Sequence, residues 1–409
     1  MNLTPELVRW LQSYSAQPEL HQLTAHPPND ATLLAALTQL RRKFTPEQAS
    51  ALVKTARLRQ RAVHKFGEQA QKMFFAEQAL QQATSWPVAT YTAQRYQGHD
   101  WVVDMGCGLG GDALALAATG SKVLAVDKNP LALTLAQANA HALNLAPLIF
   151  PIQVDVRQPA WRVAAGWADP GRRAGEKRIF HPQALQPPLA EILVIQRKYT
   201  PHLGIKLMPG LQHEQIPPGA EAEWISLRGE LKEVVLWLGE LRQGEGRRAT
   251  VLPAGVSLWA RGERAQVQTP GDFLYEPNPA VIRAGAVQDL AQNLELWQID
   301  PEIAYLSGNA LTPTPLARAW RILEHFPFDL KHLNRRLRAM RGQVVAVKKR
   351  GSPIEPEPFR KRLHKTRGGR PLIVILTRVR NRPWMFICTE EEKGTQREHR
   401  GRTEFRREK

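Results

Sequence analysis

Trp101-Val102-Val103-Asp104-Met105-Gly106-Cys107-Gly108-Leu109-Gly110-Gly111-Asp112 is the stretch whose reading decides the fold. A short apolar run enters a loop carrying Gly106, Gly108, Gly110 and Gly111, and an Ala/Leu-rich helical segment follows. A second apolar run, Val123-Leu124-Ala125-Val126-Asp127, comes next. Strand, glycine turn, helix, strand is the opening unit of a mostly parallel α/β sheet with helices on both faces. Apolar runs at 148–154, 191–195, 204–208 and 234–238 extend the strand pattern, and a further strand precedes Asp169. The α/β domain is therefore expected over 98–265.

Upstream, residues 1–97 read as helices, with Leu7, Leu11 and Tyr14 at helical spacing and a break at Pro27-Pro28-Asn29-Asp30. Thr45-Pro46-Glu47-Gln48 predicts a capped helix start. The helix it opens carries Lys54, Arg57, Arg59, Arg61 and Lys65, either a basic surface or a plain solvated face. Downstream, 266–324 reads as a connecting region and 325–390 as a small basic α+β module. Its strands are expected at 344–347, 372–379 and 384–388, its helices at 330–340 and 358–363. The segment 391–409 has almost no apolar content and is expected to be disordered.

Composition narrows the class. The chain has 409 residues and a net charge of +18. Between Lys331 and Arg382 there are 17 Lys or Arg against two acids, Glu355 and Glu357. So one-sided a block predicts a polyanionic partner, most simply nucleic acid. No apolar run approaches the ~18–20 residues of a transmembrane helix, and the N-terminus lacks the pattern of a signal peptide. The two cysteines, Cys107 and Cys388, exclude a disulfide framework or a zinc finger. A cytoplasmic protein with no membrane partner and no metal is expected.

The glycine loop fits two nucleotide-type cofactors. Gly106, Gly108 and Gly111 match G-x-G-x-x-G, the dinucleotide pattern. Asp104, Gly106, Gly108 and Gly110 match D-x-G-x-G-x-G, seen in S-adenosylmethionine (SAM) methyltransferases. The acid two residues before the first glycine favours SAM: it can face a ligand bearing an ammonium and a sulfonium, whereas it would repel a pyrophosphate. Asp127, 21 residues past Gly106, ends the second strand, where a carboxylate accepts both ribose hydroxyls. Asp155, just past the third strand, is placed to meet the adenine amino group.

The second motif is Asp169-Pro170-Gly171-Arg172-Arg173, at the carboxyl end of the expected fourth strand, where such sheets bind ligands. It is similar to the D-P-P segment of amino-group methyltransferases and to the D-P-P-R segment of RNA uracil C5-methyltransferases. Asp169 can accept a hydrogen bond from a substrate amine and aim its lone pair, with Pro170 fixing the turn; Arg172 and Arg173 can meet a phosphate. No cysteine follows this strand at a useful distance, which argues against C5-methylation. The aromatic residue usual after D-P-P is absent, leaving Trp167, Phe180 and Tyr199 as candidates to stack on a base. Lys206 can pair with Asp169, meet a phosphate, or be an ordinary strand-end lysine.

Together with Met73-Phe74-Phe75, Leu80-Gln81-Gln82-Ala83-Thr84, Lys206-Leu207-Met208-Pro209-Gly210, Val347-Lys348-Lys349-Arg350-Gly351 and Leu376-Thr377-Arg378, these motifs resemble bacterial class I SAM methyltransferases that carry a C-terminal THUMP-like domain. The resemblance covers roughly residues 40–390. It implies a Rossmann-like methyltransferase sheet with an appended RNA-binding-type module. It places SAM on Asp104, Gly106, Gly108, Gly110 and Asp127, and the methyl acceptor at Asp169. The expected function is methylation of a base in tRNA or rRNA, gripped through Lys348, Lys349, Arg350, Arg360, Lys361, Arg362, Lys365 and Arg367. The rivals are a methyltransferase with a protein or small-molecule acceptor and a non-catalytic RNA-binding protein that retains SAM.

Overall fold

The computed structural model describes residues 3–172, 185–366 and 368–390. They form two compact units. The first comprises residues up to Arg261 together with Asn278–Ala286; the second comprises Gly262–Pro277 and the chain from Val287 onward. Among the described residues, no helix is long and apolar enough to cross a membrane.

Six helices lead the first unit: α1 (Pro5–Leu11), α2 (Gln17–Ala25), α3 (Leu33–Leu40), α4 (Pro46–Phe66), α5 (Glu77–Gln82) and α6 (Trp86–Ala93). Thr45 and Gln48 make a reciprocal capping box at the start of α4, with Pro46 at its first position. Leu11, Leu52, Phe66 and Phe75 from this leader join one apolar core with Leu114, Leu135 and Val102 of the sheet domain. Residues 3–97 are thus packed on the sheet domain rather than set apart from it. The cations of α4 do not make a free basic surface. Arg59 is buried and donates to the Lys72 and Met73 carbonyls. Lys65 donates to three carbonyls, of Leu80, Gln81 and Ala83. Arg57 and Arg61 pair with Asp30 and Glu77.

The sheet domain then alternates: β1 (Trp101–Met105), α7 (Gly111–Ala117), β2 (Lys122–Asp127), α8 (Pro130–Ala142), β3 (Ile149–Gln153) and β4 (Ala165–Ala168). A short ribbon of β5 (Gly171–Arg172) and β6 (Leu185–Gln186) precedes α9 (Leu189–Tyr199) and β7 (His202–Leu207). Four more strands follow: β8 (Glu221–Leu227), β9 (Glu230–Leu238), β10 (Gly246–Leu252) and β11 (Val256–Ala260). The order across the sheet is β11-β10-β8-β9-β7-β4-β1-β2-β3. Strands β3, β2, β1, β4 and β7 run parallel, and β9 is antiparallel to both of its neighbours. The expected strand at 191–195 is instead helix α9. Its apolar residues are consecutive, but Leu189, Ile192 and Ile195 are buried while Val194 is 43% exposed, a helical rather than a strand pattern. In the β8–β10 wing, buried Glu221 and Glu223 are neutralised by Arg95 and Arg248, which anchors the turn after α6 to the sheet.

In the second unit, the span 266–324 supplies strands. These are β12 (Phe273–Pro277), β13 (Trp297–Gln298), β14 (Leu306–Gly308) and β15 (Ala317–Pro327), with helix α11 (Val287–Asn293); helix α10 (Pro279–Ala284) packs with the first unit. The basic module adds α12 (Leu330–Ala339), β16 (Gly342–Lys349), α13 (Pro356–Arg360), β17 (Arg370–Val379) and β18 (Arg382–Thr389). All seven strands join one sheet, ordered β13-β14-β12-β15-β18-β17-β16. Strand β17 shows the period of two: Leu372, Val374 and Leu376 pack under Leu333, Leu337 and Phe359 of the helices, while Ile373 and Ile375 face Tyr305 and Trp320. Cys388 is buried in this second layer and Cys107 in the glycine loop, and neither forms a disulfide.

Candidate active site

The carboxyl ends of β1, β2, β4 and β7 bring the sequence motifs together. Gly106 and Cys107 both donate to the Val126 carbonyl (2.8 and 2.9 Å), which ties the loop across to β2. Two glycines are required there. Gly106 sits at φ +87°, and a Cβ on it would lie 3.3 Å from the Asp169 carbonyl oxygen. Gly110, also at φ +87°, faces Ala136 of α8, where a Cβ would fall 3.0 Å from Cα and Cβ.

The strings before the sheet hold this loop in place. Asn139, fully buried on α8, accepts from Phe74 N–H (2.6 Å) and donates to the carbonyls of Phe74 (3.1 Å) and Leu109 (2.9 Å). Met73-Phe74-Phe75 is thereby pinned to the glycine loop. Thr84, from the Leu80–Thr84 string, donates to Asp112 (3.2 Å) and accepts from Lys206 Nζ (2.8 Å). Asn139 was not legible as a site residue, because an asparagine inside an Ala-rich helix carries no signal of its own.

The centre is a cluster of acids around one cation. Lys206 donates to Asp169 Oδ2 at 2.6 Å, so of the roles open to Lys206 the pairing with Asp169 is the one observed. Asp104 is 1% exposed, and neither of its carboxylate oxygens has a partner among the described residues. Burial, then the like charges of Asp112, Asp169 and Asp127, push its pKa well above the ordinary range. Burial likewise raises Asp112. Lys206 is held above the usual lysine range because Asp169, Asp112 and Glu233 together outweigh its own burial.

Glu233, which sequence reading missed, belongs to this cluster. Lys206 is paired across the ladder with Val235, two residues from Glu233, so Lys206 and Glu233 share a sheet face. Glu233 is buried with Oε1 unpartnered. Burial pushes its pKa from 4.5 up to about 8, against the opposing pull of Lys206. Between those two values the folded protein holds a proton that the unfolded chain has released, so stability falls as pH rises across that window. Glu233→Gln is expected to flatten the fall. Urea midpoints of both proteins at about pH 5 and about pH 9 check this, and identical slopes would remove Glu233 as the cause.

The remaining expected site residues divide. Asp127 accepts from Gly108 N–H (3.1 Å) and Asn129 N–H (2.8 Å), fixing it at the end of β2 beside the loop. Asp155 lies just past β3, but its carboxylate is taken by Arg157, which holds its pKa down near about 2. Pro170 follows Asp169 at the end of β4. Arg172 lies in β5, whereas Arg173, Phe180 and Arg367 fall outside the described residues. Trp167 is fully buried, and Tyr199 accepts through its carbonyl from Val163 at the amino end of β4, so neither can stack on a base at Asp169. An open cavity of about 540 Å³ beside Trp101 and Arg162 also lies at the amino ends of the strands, opposite the motifs.

In the second unit, Lys348 is paired with Glu276 (2.5 Å) and stacked over Trp320, and Arg350 lies near the same glutamate (3.7 Å). Lys349 is bonded to Glu355. Lys348, Lys349 and Arg350 thus each lie beside a carboxylate of the unit, with Lys348 and Arg350 sharing the single charge of Glu276. Arg360, Lys361, Arg362 and Lys365 remain exposed.

The residues fit SAM. An orphaned buried carboxylate at Asp104 suits a cationic ligand, the loop has no room for side chains at Gly106 or Gly110, and Asp127 stands beside the loop at the end of β2. Comparison with known proteins agrees. Residues 99–191 match the family model described as RNA cap guanine-N2 methyltransferase, and residues 317–390 match the one described as THUMP domain-like. Residues 4–62 match a domain of unknown function. Two SAM-dependent methyltransferases of Mycobacterium tuberculosis, from strains CDC 1551 and H37Rv, are each 35% identical over 343 residues, covering 81% of this chain and 94% of theirs. A methyltransferase structure from Porphyromonas gingivalis W83 shares the fold, with a TM-score of 0.71 at 17% identity over 95% of this chain and 98% of that one. With its glycine loop, its acid at the end of β1 and its THUMP-like second unit, the chain belongs to the class I SAM-dependent methyltransferases that carry a C-terminal THUMP-like domain.

Proposed function

We propose that this SAM-dependent methyltransferase modifies a base nitrogen in structured RNA, tRNA or rRNA. The observation that carries the reading is Asp169. It stands at the carboxyl end of β4, against the cofactor loop, and is held by Lys206 with its side chain still 31% exposed. When bound, SAM supplies an electrophilic methyl group. Asp169 would accept a hydrogen bond from the acceptor N–H and orient its lone pair, so that position and alignment carry most of the rate. Asp104, Gly106, Gly108, Gly110 and Asp127 would hold the cofactor, with Asp155 reaching the adenine only by giving up Arg157.

An RNA acceptor is supported by the basic block of the second unit and by its likeness to THUMP domains. It is supported also by the family matched over 99–191, described as RNA cap guanine-N2 methyltransferase, whose name specifies an exocyclic base nitrogen. The test is incubation with methyl-tritiated SAM and total RNA from a strain lacking the gene. Label in RNA, followed by nucleoside digestion, identifies the atom. Absence of label in RNA with SAM binding intact would overturn the RNA reading in favour of a protein or small-molecule acceptor.

A further inference from the structure

We infer that RNA phosphates are gripped by the outer stripe of α12 together with the turn at 361–365, and not by the Lys348-Lys349-Arg350 string; this rests on the RNA reading above. Helix α12 starts at Asp329, whose carboxylate accepts from His332 N–H (2.9 Å). Its Leu333 and Leu337 are buried against β17. The opposite side therefore carries Lys331, Arg335 and Arg338, spaced by four and three residues and all exposed. Arg341 continues the stripe just past the helix end, and it too is exposed.

A second group of cations is fastened alongside. Asn334, in the middle of α12, donates to the Arg362 carbonyl (3.1 Å) and accepts from His364 N–H (2.7 Å). This clamp lays the turn after α13 against the helix and brings Arg338 Nε within 3.4 Å of His364 Nδ1. Lys361, Arg362 and Lys365 are thereby held beside the stripe, all exposed.

None of the seven cations, Lys331, Arg335, Arg338, Arg341, Lys361, Arg362 and Lys365, is bonded to a carboxylate among the described residues. The contrast with their neighbours is informative. Arg336, one position off the stripe, is turned to Glu324, and Lys348, Lys349 and Arg350 all face Glu276 or Glu355. Arg336, Lys348, Lys349 and Arg350 thus each stand beside an acid, whereas the seven cations of the stripe and the turn do not. Seven adjacent like charges repel one another, and a polyanion relieves that repulsion. Four of the seven are arginines, whose planar forks suit phosphate oxygens. Contacts of this kind position the RNA without reading its sequence.

Full-length protein and unfractionated tRNA, titrated by filter binding over a salt series, test the assignment. Arg335→Gln/Arg338→Gln and Lys361→Gln/Arg362→Gln are each expected to weaken binding about tenfold or more. Each should also reduce the salt slope by about two, one for every phosphate that is no longer neutralised. The charge-keeping Arg335→Lys/Arg338→Lys is expected to restore most of the slope, which a purely structural role would not do. Lys348→Gln/Lys349→Gln should bind within about twofold of wild type. Stripe variants with wild-type affinity and slope, or the larger loss in the Lys348/Lys349 pair, would overturn the proposal while tRNA labelling by wild type left the RNA reading intact. Wild-type protein that neither binds nor labels RNA would instead overturn the RNA reading itself.

Discussion

Asp169→Ala is expected to slow methyl transfer by about 10²–10⁴-fold, the range associated with removing a positioned hydrogen-bonding or proton-accepting group from a reacting centre. SAM affinity should stay within a few-fold of wild type. The expectation rests on where Asp169 stands. Its backbone N–H reaches the Met105 carbonyl (3.4 Å) and its carbonyl backs Gly106, so the main chain is shared with the cofactor loop while the side chain points out of it. One carboxylate oxygen is held by Lys206, which is itself held by Thr84. Truncation at Asp169 leaves Lys206 with Thr84 and the nearby Asp112, so the cluster keeps a partner for its cation and the fold should survive. Asp169→Asn keeps the shape and loses the charge. It should recover binding of the acceptor RNA but little of the rate. Single-turnover label transfer, with calorimetric SAM binding alongside, separates these effects. A wild-type rate in Asp169→Ala would remove Asp169 from the acceptor site.

The parts of this site that could be read beforehand are those in which local sequence and fold topology coincide. Strand β1, the glycines and Asp127 form one continuous unit, and a strand followed by Gly106 and Gly108 has few other conformations open to it. Asp169 was legible because strand ends in a parallel sheet face the ligand crevice. What escaped depends on partners distant in sequence. Asn139 matters because Phe74 lies 65 residues away, and Glu233 because β9 returns antiparallel beside β7. Lys348 reads as a free cation until Glu276, 72 residues upstream, is placed against it. Helix α9 was misread for a different reason: Ile192-Leu193-Val194-Ile195 is a continuous apolar run, and such a run does not itself distinguish a buried strand from a helix. The mixed wing β8–β11 was only partly visible, because its inward positions include Glu221, Glu223 and Arg248, charges that burial tolerates only in one another's company.

Asp104→Asn is expected to move two properties in opposite directions. In the ligand-free protein the carboxyl is buried, without a hydrogen-bond partner, and surrounded by Asp112, Asp169 and Asp127. Its raised pKa means that the folded state keeps a proton the unfolded chain releases. Its contribution to stability is therefore present at low pH and is lost as pH rises above the ordinary aspartate value. An asparagine cannot ionise, so ligand-free Asp104→Asn should melt higher than wild type at neutral pH, by about 2–4 °C for each kcal/mol recovered in a unit of this size. The same change should weaken SAM binding by about 10–100-fold, the equivalent of one hydrogen bond to a charged group at about 1.5–3 kcal/mol. Saturating SAM stabilises only the protein that binds it, by about 2.7 kcal/mol at a hundredfold excess over Kd. At a cofactor concentration chosen for wild type, the melting order of the two proteins should therefore invert. A carboxylate that merely supported the fold would lower both curves on substitution, with and without SAM. A carboxylate retained to meet a cation gives the crossing, because the burial that weakens the empty protein is the condition under which a charge on SAM is worth most to it.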